Sequence, residues 1–272
     1  MRQISHILEK KRVFLTRTLH NFALNELKKK YQIEIHSGKI PIPKTELLKK
    51  IQNVDGLICF PYDKIDKELI DTAKNLKVIS TFSVGYDHID TQYAVKKKIR
   101  VGYTPEVLTD ATADLAFSLI LDILRRVSEG DRTIREGKWR QIYGAYDYVG
   151  IDLQGKTLGI LGLGRIGSTL AKRAKAFDMR IIYHSRKHIS KNKEKVLGVK
   201  YVTLDKLITQ SDIISIHVPH TKETNQLFDL KVFRKMKKTA YLINTARGKI
   251  VNEKDLAVAL KKKIIAGAAL DV

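Results

Sequence analysis

The chain has 272 residues, of which 43% are apolar and 29% charged, the composition of a soluble globular protein long enough for two domains of ordinary size. Lysine and arginine number 51 against 29 aspartates and glutamates, and the resulting net charge of +22 raises nucleic acid or an anionic membrane as a partner. The distribution speaks against both. Lysines cluster at expected helix ends, Lys28 to Lys30, Lys96 to Lys98 and Lys261 to Lys263, where cations suit the negative end of the helix dipole.

The opening MRQISHILEKKR lacks the apolar core of a secretory signal, and Glu9 and its brevity count against a mitochondrial leader. No apolar run reaches the roughly 18 residues of a membrane span. The single cysteine, Cys59, excludes a disulfide within the chain, and its place inside GLICF predicts buried packing. A reducing compartment, the cytoplasm, is expected.

Short apolar or β-branched runs alternate with helical patterns: VFLTR (13–17), ALNELKKKY, GLICF, KELIDTAKN and KVIST (77–81). This alternation reads as parallel α/β. After RVGYT (100–104), the stretch TDATADLAFSLILDILRRVSEGDRTIREG repeats Leu115, Leu119, Ile120 and Ile123 at helical spacing. It is expected to be one long helix bridging two domains, with Thr109 capping its start and Asp110 in its first turn.

A second series follows, with TLGILG (157–162), RIIYHS (180–185), VKYVT (199–203), DIISIHV (212–218), AYLINT (240–245) and IIAGAALDV (264–272). These near-continuous apolar strands suit a parallel sheet covered on both faces, and six of them make a complete doubly wound dinucleotide fold.

Gly162, Gly164 and Gly167 form G-x-G-x-x-G in LGLGRIG. The motif follows an apolar strand, opens the helix GSTLAKRAKAF and precedes a second strand, the setting that a dinucleotide site requires. Gly162 permits the tight turn, Gly164 lets the backbone approach a pyrophosphate, and Gly167 lets helix and strand pack closely. The helix N-terminus, with Arg165 and the N–H of Ile166, then faces the phosphates.

Where an NAD-specific site places a carboxylate at the end of the second strand, this chain has His184, Ser185, Arg186 and Lys187. Ser185 and Arg186 can bond a 2′-phosphate, and Arg186 can cover the adenine face. NADPH is therefore expected over NADH.

Six blocks in order, STFSVGYDHID (80–90), VGYTPEVLTDATADLAFSLIL (101–121), LGILGLGRIGSTLAKRAKAF (158–177), HVPHTKET (217–224), LINTARGKIVNE (242–253) and AGAALDV (266–272), resemble the D-isomer-specific 2-hydroxyacid dehydrogenases. SVGYDHID, VGYTPEVLTD and the basic turn resemble the glyoxylate/hydroxypyruvate reductase branch in particular. The resemblance implies two Rossmann-like domains: a flavodoxin-like substrate domain, residues 1–104, and a doubly wound dinucleotide-binding domain, residues 105–272, with the long helix at its start.

It also implies a hydride transferred to a small 2-keto acid. Arg247 of the TARG motif would grip the carboxylate and polarise the carbonyl, with a fork that suits a planar carboxylate better than lysine does. The backbone of Val84 and Gly85 would form a second carboxylate clamp. Thr112 and Asp271 fall at the nicotinamide end of the cofactor, and Val218, Pro219 and Thr245 on its walls, with plain packing the competing reading for Val218 and Pro219.

The family's proton donor is a histidine whose pKa a glutamate raises, both lying beyond the LDV motif. The sequence ends at Val272, the third residue of LDV, and contains neither; His88, His217 and His220 match no donor position. Such a chain is expected to bind its cofactor better than it turns over. No metal is implied. A homodimer formed through residues 107–137 is expected, with the aromatic stretch Trp139 to Tyr148 facing the partner's site.

Two other readings stand beside the reductase. One is a non-catalytic NAD(P)-binding regulatory protein, against which the intact Arg247 and SVG count. The other is a relative such as a phosphoglycerate or formate dehydrogenase, which would more naturally carry an acidic residue at position 185.

Overall fold

The computed structural model describes residues 10–140 and 143–272. Residues 1–9, on which the leader reading falls, and Gln141 and Ile142 of the aromatic stretch lie outside the described residues. The chain divides into two compact units between Val107 and Leu108.

The first unit runs β1 (Arg12–Leu15), α1 (Asn21–Lys30), β2 (Gln32–Ile35), α2 (Lys44–Lys50), β3 (Gly56–Cys59), α3 (Lys67–Thr72), β4 (Val78–Thr81), α4 (Thr91–Lys96) and β5 (Arg100–Gly102). Its strands are all parallel in the order β2-β1-β3-β4-β5, the flavodoxin-like winding. Alternation along β1 sends Phe14 into one core with Leu57, Cys59 and Ile79, and Val13 and Leu15 to the other face with Leu24. Cys59 is fully buried, as its apolar setting predicts.

Strand β2 has no counterpart among the apolar runs. Its four residues, QIEI, form an edge strand with no fully buried position, so its apolar signal is weak. It exists because β1 offers it a parallel ladder from Arg12↔Gln32 to Leu15↔Ile35.

The second unit begins with α5 (Thr109–Arg125) and α6 (Val127–Arg135) and continues β6 (Thr157–Leu161), α7 (Arg165–Lys175), β7 (Arg180–His184), α8 (Lys191–Leu197) and β8 (Val199–Tyr201). It then runs α9 (Leu204–Gln210), β9 (Ile213–Ile216), α10 (Leu230–Lys235), β10 (Tyr241–Asn244), α11 (Glu253–Lys261) and β11 (Gly267–Leu270). The six expected strands are all present and parallel, ordered β11-β10-β9-β6-β7-β8, the complete doubly wound order. One face buries Leu158, Ile160, Ile181 and Tyr183 against α5 and α7, and the other buries Leu161, Ile182, Ile214 and Leu242 against α9 to α11.

Two local expectations are corrected. The stretch after Thr109 is two helices, because Arg126 takes a left-handed φ of 58° that interrupts the ladder. The carboxylate of Asp122 receives the freed Ser128 N–H at 2.8 Å and its hydroxyl at 2.7 Å. Nor does Thr109 cap α5; it is the first helical residue, Leu108 precedes it, and no side chain accepts the free N–H groups. The lysine clusters do end α1, α4 and α11. Among the described residues, no helix is long and apolar enough to cross a membrane, and no group of acidic, histidine and cysteine side chains could hold a metal.

Candidate functional site

A parallel doubly wound sheet gathers its loops at the carboxyl ends of its strands, and the crevice opens where the winding reverses, here between β6 and β9. Gly162 follows β6, Ser185 and Arg186 follow β7, Val218 and Pro219 follow β9, Thr245 and Arg247 follow β10, and Asp271 follows β11. Residues far apart in sequence thus share one edge. Thr112 lies on α5, which packs on α7 and on β10 and β11.

The three glycines are required for three different reasons. Gly162 has φ +97°, and a Cβ there would lie 2.7 Å from the His217 carbonyl oxygen and 2.8 Å from Val218 Cγ1. A Cβ on Gly167 would lie 2.3 Å from the Gly162 carbonyl oxygen, so close helix–strand packing excludes any side chain. Gly164 differs from both: its φ is an ordinary −81°, and a Cβ would meet no protein atom within 4 Å. Neither packing nor conformation demands glycine there, whereas a pyrophosphate lying against the backbone would.

Helix α7 starts with Gly164 as its N-cap and no side-chain acceptor. Ser190, Thr203, Asp229 and Asn252 cap α8, α9, α10 and α11. The N–H groups of Ile166 and Gly167 in the first turn of α7 therefore keep their hydrogen-bonding capacity, and the helix its positive dipole, for an anion. The hydroxyls of Ser168 and Thr245 are buried with no hydrogen-bond partner among the described residues. Such a group costs about 1–3 kcal/mol, which a polar ligand atom would offset.

At the end of β7, Ser185 Oγ accepts from the Leu163 N–H at 2.8 Å. Its own proton remains to be donated. The imidazole of His184 turns to β8 and donates from Nδ1 to the Val202 carbonyl at 3.0 Å, while His188 stacks on Tyr201 at 3.5 Å. Arg186 is exposed. The Glu223 carboxyl ionises below its ordinary range, chiefly because the Thr221 side chain bonds it, with the positive field of Arg186 contributing. No acidic residue stands in the turn itself.

Arg247 has extended backbone, φ −149°, in the turn after β10. Buried Asn244 holds that turn: its Nδ2 donates to the Arg247 carbonyl at 2.9 Å, and its Oδ1 accepts from the Ala246 N–H at 3.0 Å. Arg247 Nη1 donates to the Ala246 carbonyl at 2.7 Å, and the Asp271 N–H reaches the Asn244 carbonyl at 3.0 Å. Sequence reasoning missed Asn244, although a lone polar residue ending the apolar run AYLIN was a visible signal.

Of the three histidines weighed as donors, His217 is held neutral, its pKa pushed down to about 4 by burial, and its Nε2 meets Ser215 Oγ at 2.8 Å. His220 meets Asn225 Oδ1 at 3.0 Å, and His88 meets Thr81 Oγ1 at 3.0 Å.

In the first unit, Val84 and Gly85 follow β4. Neither N–H has a hydrogen-bond partner among the described residues, although both residues are partly buried. Adjacent free N–H groups form a concavity suited to an anion.

The open backbone at Gly164 and the uncapped N-terminus of α7 fit the pyrophosphate of a dinucleotide, which puts the second unit in the class of doubly wound dinucleotide-binding domains. Comparison with known proteins gives the same class. The sequence model of the "D-isomer specific 2-hydroxyacid dehydrogenase, NAD binding domain" matches residues 117–272. A glyoxylate reductase of Thermofilum pendens is 47% identical over 262 residues, covering 96% of this chain and 77% of the relative. A glyoxylate reductase of Thermococcus litoralis is 46% identical over 266 residues, covering 97% and 80%. The crystal structure of the TT0316 protein from Thermus thermophilus superposes with a TM-score of 0.87 at 44% identity, covering 96% of this chain and 81% of that one.

The chain belongs to the D-isomer-specific 2-hydroxyacid dehydrogenase family, close to glyoxylate reductase. It is of the class of NAD(P)-dependent oxidoreductases that act on CH–OH groups.

Proposed function

We propose that this protein is a reductase of small 2-keto acids, converting glyoxylate or hydroxypyruvate to glycolate or D-glycerate, with NADPH preferred over NADH. The observation that carries the reading is the Arg247 turn, whose backbone Asn244 holds from both sides at the carboxyl edge of the cofactor sheet. A regulatory dinucleotide binder has no need of a carboxylate grip there. Cofactor choice rests on the turn after β7, where Ser185 and Arg186 can receive a 2′-phosphate and the turn itself carries no carboxylate.

The bound dinucleotide supplies a hydride to the carbonyl carbon of the substrate. Gly162, Gly164 and Gly167, with Arg165 and the Ile166 N–H, receive the pyrophosphate. Thr112 and Asp271 hold the nicotinamide end, and Val218, Pro219 and Thr245 wall it. Arg247 pairs with the substrate carboxylate and stabilises the negative charge that develops on the carbonyl oxygen. The Val84 and Gly85 N–H groups are assigned as a second clamp for the carboxylate.

The resulting alkoxide needs a proton, and the family resemblance assigns that step to a histidine and glutamate beyond the LDV motif. In this reading residues 1–104 belong to the substrate domain and 105–272 to the cofactor domain, and the protein works as a cytoplasmic homodimer with neither nucleic acid nor membrane as partner.

The test is NADPH and NADH oxidation with glyoxylate, hydroxypyruvate, pyruvate and phosphohydroxypyruvate. The expected result is turnover of the first two with NADPH. Tight nucleotide binding with no oxidation by any of the four, in a protein carrying the downstream histidine and glutamate, would favour the regulatory reading.

A further inference from the structure

The segment carrying the free Val84 and Gly85 N–H groups is held by a chain of side chains that the substrate site as described does not use. Ser83 Oγ lies 2.5 Å from the Gly85 carbonyl oxygen, Thr81 Oγ1 lies 2.8 Å from Ser83 Oγ, and His88 Nε2 lies 3.0 Å from Thr81 Oγ1. Thr81 is buried, and Ser83 and His88 are partly so.

The direction of every bond follows from the first. A carbonyl oxygen only accepts, so Ser83 must spend its single proton on Gly85. Ser83 Oγ can then only accept from Thr81, which commits the proton of Thr81. Thr81 Oγ1 in turn can only accept from His88, so Nε2 carries a proton whether the ring is neutral or charged. The opposite order would leave two proton-free oxygens 2.5 Å apart at Ser83 and Gly85, a repulsive contact. Cys59 Sγ, 3.9 Å from the same nitrogen, is a weaker acceptor than the hydroxyl at 3.0 Å.

The Ser83-to-Gly85 bond closes a ring that contains both peptides whose N–H groups are free. One of them is fixed from its other side as well: the Ser83 carbonyl accepts from the Thr104 N–H at 3.0 Å. In a planar trans peptide the N–H points opposite the carbonyl, so the Val84 N–H is aimed away from Thr104. An anion-binding pair gains from being held before the ligand arrives, because the ordering cost is then not charged to binding.

We propose that His88, acting through Thr81 and Ser83, is a positioning residue that presets the Val84 and Gly85 N–H pair for the substrate carboxylate. The proposal rests on the reading of that pair as a carboxylate clamp. It gives the Thr81, Ser83 and His88 side chains a role in substrate affinity exerted through the backbone of Val84 and Gly85.

The test combines calorimetric titration with oxalate, a planar analogue of a 2-keto acid, in the presence of NADPH, and the imidazole nitrogen NMR spectrum of His88 in the unmodified protein. Ser83→Ala and Thr81→Val are expected to weaken oxalate binding about three- to tenfold, the worth of one ordinary hydrogen bond. NADPH affinity should not change, Ser83→Thr and Thr81→Ser should restore oxalate binding, and Nε2 of His88 should carry the proton. A proton-free Nε2, or unchanged oxalate affinity in both hydroxyl-deleting variants, overturns the proposal. Val84→Pro, which deletes one N–H of the pair, separates the two levels. If it weakens oxalate binding while Ser83→Ala and Thr81→Val do not, the clamp stands and the relay falls. Should Val84→Pro also leave affinity unchanged, or the unmodified protein not bind oxalate, both fall.

Discussion

Ser185 Oγ accepts the Leu163 N–H at 2.8 Å, so the residue expected to choose the cofactor also fastens the glycine turn to the end of β7. Ser185→Asp keeps an acceptor for Leu163 while setting a negative charge against a 2′-phosphate. A charge-assisted bond of this kind is worth about 1.5–3 kcal/mol, so NADPH affinity should fall by about ten- to a hundredfold while NADH affinity holds or rises. Fluorescence titration of both cofactors checks this, and an unmodified protein that prefers NADH would refute the assignment.

Two glycines of one motif should respond in opposite ways. Gly167→Ala places a methyl 2.3 Å from the Gly162 carbonyl oxygen and should cost about 1–3 kcal/mol or more of stability. Gly164→Ala meets no protein atom within 4 Å and should leave Tm nearly unchanged while weakening NADPH binding about tenfold or more. Thermal melts beside cofactor titrations resolve the pair. A Gly164→Ala protein with full cofactor affinity would sink the pyrophosphate reading.

Arg247→Ala should lower kcat/KM for glyoxylate by several orders of magnitude, because it removes both the carboxylate grip and the charge that favours the transition state. Asn244→Ala should act on the same turn indirectly. It frees the Ala246 N–H and the Arg247 carbonyl at once, costing about 1–3 kcal/mol of stability together with part of the activity. Steady-state kinetics of both variants, with Arg247→Lys as the charge-preserving control, test the assignment; unchanged kcat/KM in Arg247→Ala would remove that role.

His217 supplies a pH dependence with a definite sign. Its pKa falls from 6.5 to about 4 on folding because burial penalises the charged ring. The unfolded chain therefore binds this proton more readily, and the neutral His217 contributes stability that is complete above about pH 6.5 and lost as pH falls towards 4. The full loss is about 3 kcal/mol at 1.36 kcal/mol per unit. Urea unfolding between pH 7 and pH 4.5 should show a shallower decline in His217→Gln than in the unmodified protein. Parallel declines would mean that the buried ring does not titrate in this way.

The parallel α/β class, all six strands of the cofactor sheet, the tight turn at Gly162 and the close packing at Gly167 were legible in the sequence. Buried parallel strands must be continuously apolar, and a turn that approaches a phosphate must lack a Cβ. Only the tertiary structure distinguishes Gly162 and Gly167, which neighbouring atoms confine, from Gly164, which nothing in the protein confines.

What the sequence could not supply were features that depend on a partner distant along the chain or on the direction that a local backbone or side chain takes. Strand β2 is a weak pattern until β1 lies beside it, and the break at Arg126 is invisible to a helical periodicity that continues across it. Leu163 and Ser185 are 22 residues apart, and their bond exists only because β6 and β7 are neighbours in the sheet. Asn244 and the Thr81, Ser83 and His88 chain bond to partners two to seven residues away, and side-chain direction and burial, not distance along the chain, hid them. Residue types and spacing determine which chemistry a chain can offer, whereas hydrogen-bond direction and burial arise only once the sheets have set their loops side by side.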